Sequence, residues 1–217
     1  MRTIFFAIAF ATALTCVTNG APVSEAELRN LLAEIRQNRS TQADFQEQRV
    51  IRLMKNPVQS SGTVWFQPPN KFRREVKGNS PSITVSDGRN LWIYYPNFKS
   101  AERYALGKGS PLDATVAAIN SALNLENIET SFNISGTKSD NGHELALLPR
   151  TAAMKRVFQK LDLRINNQFR VERTDMLLPN GDRIVTTYSN QTRAPISPSK
   201  FEFKPLAGTE VTTPLGQ

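Results

Sequence analysis

Ser61-Gly-Thr-Val-Trp-Phe-Gln-Pro-Pro-Asn-Lys-Phe-Arg73, followed by Val85-Ser-Asp-Gly-Arg-Asn-Leu-Trp-Ile-Tyr-Tyr-Pro96, decides the fold of this chain. Aromatic and polar residues alternate through both runs, which is the period of strands joined by tight turns. Ser86-Asp-Gly-Arg89 reads as a turn, because Gly88 accepts a positive φ at little cost. Pro96 stops the strand before it. Strands of this kind can wall an apolar hollow as readily as a packed core.

Working outward, the pattern predicts strands at 61–67, 71–77, 82–86, 90–95 and 100–106. Before them, 43–54 reads as a long polar strand with Phe45, Ile51 and Leu53 on one face, interrupted by Pro57. Strands return at 131–137, 142–149, 155–165, 169–175 and 182–189, with a last short one at 200–204. Ser24-Glu-Ala-Glu27 is a capping box, and Leu28, Leu31, Leu32 and Ile35 follow at helical spacing, so a helix is expected over 24–38. Ser110 caps a second helix over 110–123, with Pro111 in its first position. Leu112, Val116, Ile119 and Leu123 form its apolar side. The expected class is mostly β (α+β), with about eleven strands and two or three helices. No repeat and no shift in composition marks an internal boundary.

Residues 1–20 read as a cleaved signal peptide. Arg2 supplies its charge, Ile4 to Leu14 its apolar stretch, and Thr18 and Gly20 the small residues before a cut after Gly20. The lone cysteine, Cys16, lies inside that leader. Residues 21–217 are then a single domain without disulfides, held by its core. The net charge of +8 is spread along the chain. It favours acidic or anionic partners, and nothing in the sequence is a nucleic-acid motif.

Enzyme chemistry finds little to work with. The one histidine, His143, flanks a turn and reads as a solvated residue. Asp87, Asp140, Asp175 and Asp182 read as turn residues that bond backbone amides. No nucleophile elbow, phosphate loop or dinucleotide fingerprint occurs. Neither a metal site nor a cofactor is expected.

Gly62-x-x-Trp65-x-x-x-Pro69-Asn-x-Phe72, then Val85-Ser-Asp-Gly-x-x-Leu91-Trp92-x-Tyr94-x-Pro96, resembles the periplasmic outer-membrane lipoprotein carrier family LolA. Phe45-Gln46, Leu147-x-Pro149 and Lys200-Phe-x-Phe-x-Pro205-x-x-Gly208-x-x-Val211 extend the resemblance over nearly all of residues 21–217. It implies an incompletely closed antiparallel β-barrel, with helices as a lid over a hydrophobic cavity. It also implies a carrier that shuttles the acyl chains of lipoproteins across the periplasm of a Gram-negative-type bacterium. The partners it implies are an inner-membrane ATP-driven lipoprotein-releasing transporter and an outer-membrane lipoprotein acceptor, with the carrier a monomer. One departure stands out: the best-studied branch of the resembled family carries a latch arginine where this chain has Pro68. Arg74 shares parity with Phe72 and Val76 and is the candidate substitute. The alternative is a carrier or sensor of the same family for another lipid, a phospholipid or glycolipid, in a dedicated export system.

The candidate cavity residues are Trp65, Phe72, Leu91, Trp92, Ile93, Tyr94, Val157, Leu161 and Leu163, each with plain core packing as the competing reading. Leu91 and Ile93 oppose Trp92 and Tyr94, so at most one of those pairs lines a hollow. Leu112, Val116 and Ile119 are the candidate lid residues.

Overall fold

A computed structural model describes residues 20–39, 41–68, 70–106 and 128–214. The expected helix over 110–123, with Leu112, Val116 and Ile119, lies outside the described residues, as do residues 1–19.

Helix α1 (Glu25–Gln37) begins at the predicted cap: Glu27 N–H donates to Ser24 Oγ (3.3 Å), and Ser24 N–H to Glu27 Oε2 (2.8 Å). Asn38 closes its last turn through a bond from its N–H to Glu34 O (2.9 Å). Leu31, Leu32 and Ile35 face inward and are buried. Each such side chain contributes about 1.5–3 kcal/mol, which is what fixes an otherwise polar helix to the sheet.

The strands are β1 (Ala21–Pro22), β2 (Gln42–Val50), β3 (Val58–Gln67), β4 (Lys71–Lys77), β5 (Ser82–Ser86), β6 (Asn90–Tyr95), β7 (Ser100–Ala105), β8 (Phe132–Ser139), β9 (Gly142–Pro149), β10 (Lys160–Ile165), β11 (Val171–Leu177), β12 (Arg183–Thr192) and β13 (Glu210–Thr212). They form one sheet in the order β1-β8-β9-β10-β11-β12-β2-β3-β4-β5-β6-β7-β13. Every ladder is antiparallel except β13 on β7. The β12–β2 ladder, from Arg183 opposite Val50 to Ser189 opposite Asp44, joins the two halves of the chain.

The main core lies between α1 and β8–β10. It gathers Ile128, Phe132, Leu145, Leu147, Phe158, Leu161, Leu163 and Ile165 around the helix, with Phe132 and Phe158 stacked at 5.8 Å. A smaller cluster, Phe66, Phe72 and Leu91, sits on the same face of β3–β6.

Three expectations are corrected. Residues 155–165 are not one strand. Ala152–Lys155 is a helical turn whose Met154 N–H reaches Thr151 Oγ1 (3.2 Å), and β10 begins only at Lys160. Strand parity therefore fails ahead of Lys160, and Met154 and Phe158 are both buried. Residues 200–204 are not a strand either: a 3-10 turn spans Pro198–Phe201, which Pro198 opens. The long strand 43–54 ends at Val50, which leaves Leu53 fully exposed in the following turn.

Gly62 sets the approach of β3 to β4. A Cβ there would fall 1.8 Å from Glu75 O and 2.9 Å from Phe45 Cε1. Gly62→Ala must push two strands apart and is expected to cost about 2–4 kcal/mol of unfolding free energy. Exposed Ser61→Ala should cost within about 0.5 kcal/mol. Urea unfolding of both variants checks this.

Candidate functional site

The inner face of the sheet, the face that α1 covers over β8–β10, is incompletely filled beside the helix. A hollow of about 550 Å³ remains there. Its walls come from consecutive strands: Ala43, Phe45 and Glu47 of β2, Val64 and Phe66 of β3, Phe72 and Arg74 of β4, Thr174 and Met176 of β11, and Ile184, Thr186 and Tyr188 of β12. Alternation explains the list, since every second residue of each strand points the same way and the ladders keep those rows in register. Ile35 of α1, Val157, Leu161, Phe169, Val171 and Leu178 complete the apolar lining. Phe169 is held at φ 58, which is costly for a bulky side chain. Asn166 imposes it by accepting the backbone N–H of Gln168 (2.9 Å) and of Arg170 (3.0 Å) with one side-chain oxygen.

Charged groups interrupt this wall: Arg39, Arg49 and Arg170 stand in the lining, and Arg74 and Glu47 pair within it. Arg74 Nη2 donates to Glu47 Oε2 (2.9 Å), and Thr186 Oγ1 donates to the same oxygen (3.3 Å). The guanidinium lies 4.3 Å from the centre of the Phe45 ring. The arginine is thus satisfied by the sheet itself, through an ion pair and an aromatic face. Beside it, burial raises the pKa of the Tyr188 hydroxyl, against the opposing hydrogen bond from Thr174. At pH 7 that hydroxyl is neutral.

The outer face is also covered. The segment after β12 runs back across β3–β6. Arg73 Nη1 donates to Lys200 O (3.3 Å), Arg73 Nε to Glu75 Oε1 (2.6 Å), and Lys200 Nζ lies 3.5 Å from the same carboxylate oxygen. Lys200 Nζ sits 3.6 Å from the centre of the Trp65 ring. Phe203 packs against both Trp92 and Tyr94, at 5.4 Å from each. Residues 195–204 are therefore a strap held by aromatic and ionic contacts.

Of the residues singled out from the sequence, Phe72, Arg74, Val157 and Leu161 line the hollow. Leu91 and Leu163 are on the inner face but are consumed by packing. Ile93 is also inward, opposite Thr84, and does not reach the lining. Trp65, Trp92 and Tyr94 stand on the outer face under the strap and take no part in the wall. The turn between Gln67 and Lys71 pairs Phe66 with Phe72, and so puts Trp65 opposite Arg73. Missing from the sequence-based set were Phe45, Met176 and Tyr188. For Phe45, the alternation Ala43-x-Phe45-x-Glu47 was an available signal.

The polar candidates are settled as well. Asp87 accepts the N–H groups of Arg89 and Asn90 (2.7 Å each), the turn role expected of it. Asp175 lies within β11, not in a turn, and pairs with Arg183. His143 is half-buried, and burial lowers its pKa.

Residues 36–204 match the model of the family described as outer membrane lipoprotein carrier protein LolA. The chain belongs to the LolA family. An outer-membrane lipoprotein carrier protein of Coxiella burnetii (strain CbuK_Q154) is 26% identical over 208 residues, covering 93% of this chain and 92% of the relative. One of Chromobacterium violaceum is 29% identical over 196 residues, covering 89% and 90%. A crystal structure of an uncharacterized conserved protein from Thermus thermophilus superposes with a TM-score of 0.52 at 16% identity, covering 86% of this chain and 98% of that one, and so shares the fold. LolA-family carriers are non-catalytic, and this chain is not an enzyme.

The strap has a predictable acid sensitivity. Burial alone would raise the Glu75 carboxyl, but the hydrogen bond and charge of Arg73, with Lys200 beside it, outweigh that and hold it below its ordinary 4.5. A depressed carboxyl stabilises the fold above its unfolded pKa, and that stability is lost as pH falls through the lower folded value. Because Trp65 and Trp92 both lie under the strap, their fluorescence should shift as pH drops below 4.5. Glu75→Gln should abolish the pH step and leave the strap loosened at pH 7.

Proposed function

We propose that the hollow receives acyl chains, and that this protein is a periplasmic carrier that moves lipoproteins from the inner to the outer membrane. The single observation behind this reading is an apolar hollow on the inner face of a LolA-family sheet, next to the amphipathic helix α1. Its volume falls in the range of about 300–1,000 Å³ typical of small-molecule sites. The physical need is plain, because hiding acyl chains from water gains about 0.8 kcal/mol per methylene. In this reading the sheet is the incompletely closed barrel of the family, residues 110–123 supply a second part of the lid, and residues 1–20 are the export leader. In the same reading the cargo comes from an inner-membrane ATP-driven transporter and goes to an outer-membrane acceptor, the partners that the sequence resemblance implies. Catalysis has no part in the cycle.

Arg74 is the proposed latch in place of the arginine absent at Pro68. Among the described residues four arginines line the hollow, and Arg74 is the one that lies over the Phe45 ring and pairs with Glu47. Cargo entering the hollow meets the Arg74–Glu47 pair, so bound chains and the closed pair oppose each other. That opposition keeps binding reversible. The same polar group favours the second reading, a carrier of phospholipid or glycolipid, whose head group would find a charged partner there.

Uptake of a fluorescent fatty acid tests the site. Val157→Glu should weaken binding at least about ten-fold by placing a charge in the apolar lining. Trp65→Ala, on the opposite face, should leave it unchanged. Arg74→Ala should slow release to acceptor vesicles. Equal losses in V157E and W65A would mean that the hollow is not the binding site. Mass spectrometry of the native cargo separates the two readings: triacylated protein supports the first, and free phospholipid or glycolipid alone supports the second.

A further inference from the structure

Four of the eight large hydrophobic side chains exposed among the described residues fall within residues 50–58. They are Val50 (41% exposed), Leu53 (97%), Met54 (51%) and Val58 (46%). Val50 ends β2 and Val58 begins β3, with Leu53 and Met54 in the turn between them, where Met54 N–H donates to Ile51 O (2.9 Å). Single exposed apolar residues are ordinary, but a cluster at one tip is not. Residues 49–58 carry Arg49, Arg52 and Lys55, and not one carboxylate. All three cations are exposed, and none is ion-paired among the described residues.

The tip is held in place. Asp182, buried at the β11–β12 turn, accepts the backbone N–H of Arg52 (3.1 Å) and the side-chain amide of Asn180 (3.0 Å). The stem of Arg52 lies against Gly181, where a Cβ would come within 2.6 Å of Arg52 Cδ. The turns β2–β3 and β11–β12 are therefore lashed together. Arg49 and Ile184, a cross-strand pair near the roots of these turns, both line the hollow.

We propose that this tip docks on an anionic phospholipid bilayer, with Leu53 and Met54 entering the acyl boundary and Arg49, Arg52 and Lys55 meeting the phosphates. Charge complementarity selects the occupant, since three cations with no acid among them suit an anionic surface. Shape supports it too. Leu53 is 97% exposed at the turn, and a fluid interface accepts such a side chain where a protein would need a matching pocket. The hairpin puts one end of the hollow next to the lipid surface. The contact is the chain's own and does not depend on what the hollow carries.

Co-sedimentation of the intact purified protein with vesicles provides the test. Vesicles of phosphatidylcholine mixed equally with phosphatidylglycerol should bind it, and vesicles of phosphatidylcholine alone should bind it far more weakly. Leu53→Glu should lower binding to the mixed vesicles at least about ten-fold, by losing apolar contact and adding a like charge. Lys55→Gln should lower it about five-fold. Neither variant should change the thermal midpoint or the uptake of a fluorescent fatty acid. A protein indifferent to the mixed vesicles overturns the proposal, as it would if the tip served an acidic protein instead. So does binding that survives Leu53→Glu, with Leu53→Ser as the uncharged check.

Discussion

The pleat of the β3–β4 pair governs this molecule. With Phe66 opposite Phe72, the row Ala43–Val64–Arg74–Thr84–Ile93 faces inward and the row Gln42–Trp65–Arg73–Val85–Trp92 faces outward. A slip of one residue would exchange the rows. Arg73 and Trp65 would then enter the hollow, and Phe72 and Arg74 would meet the strap. Gly62 protects this register, because only a residue without a side chain lets Phe45 lie over it while Glu75 O passes close by.

Both faces carry apolar surface, and the chain covers them by different means. Over β8–β10, α1 and Ile128 complete a dry core. Over β3–β6, the strap with Phe201 and Phe203 closes the outer side. The inner side of β2–β4 and β11–β12 is left with small residues, Ala43, Val64 and Thr186, among larger ones, and there the hollow stays open. Arg74 is tolerable in that wall because Glu47 and Phe45 satisfy it. Removing either partner would leave a half-buried charge facing hydrocarbon.

Much of this was legible from the sequence. Ser24 and Glu27 specified the start of α1, since a capping box has one geometry. Most strands followed from alternation, and the parity of Arg74 with Phe72 placed both on the inner wall. Trp65 was misplaced because faces depend on hairpin register, which a repeating pattern does not fix alone. Residues 155–165 were misread because Thr151-Ala-Ala-Met154 is a helix start that a following apolar alternation obscures. The strap escaped notice because Phe201 and Phe203 alternate as a strand would, while Pro198 turns the chain. Tyr188 joins the hollow through its long-range pairing with Phe45, to which local period is blind.

The central claim is that an acyl chain lies against the inner wall. Methyl-resolved NMR with a spin-labelled stearic acid tests it most directly. The account predicts broadening of the Val157, Val171, Leu178 and Ile184 methyls, which line the hollow, with Val85 and Val185 on the other face left sharp. Broadening at Val85 and Val185, with the inner methyls untouched, would contradict it.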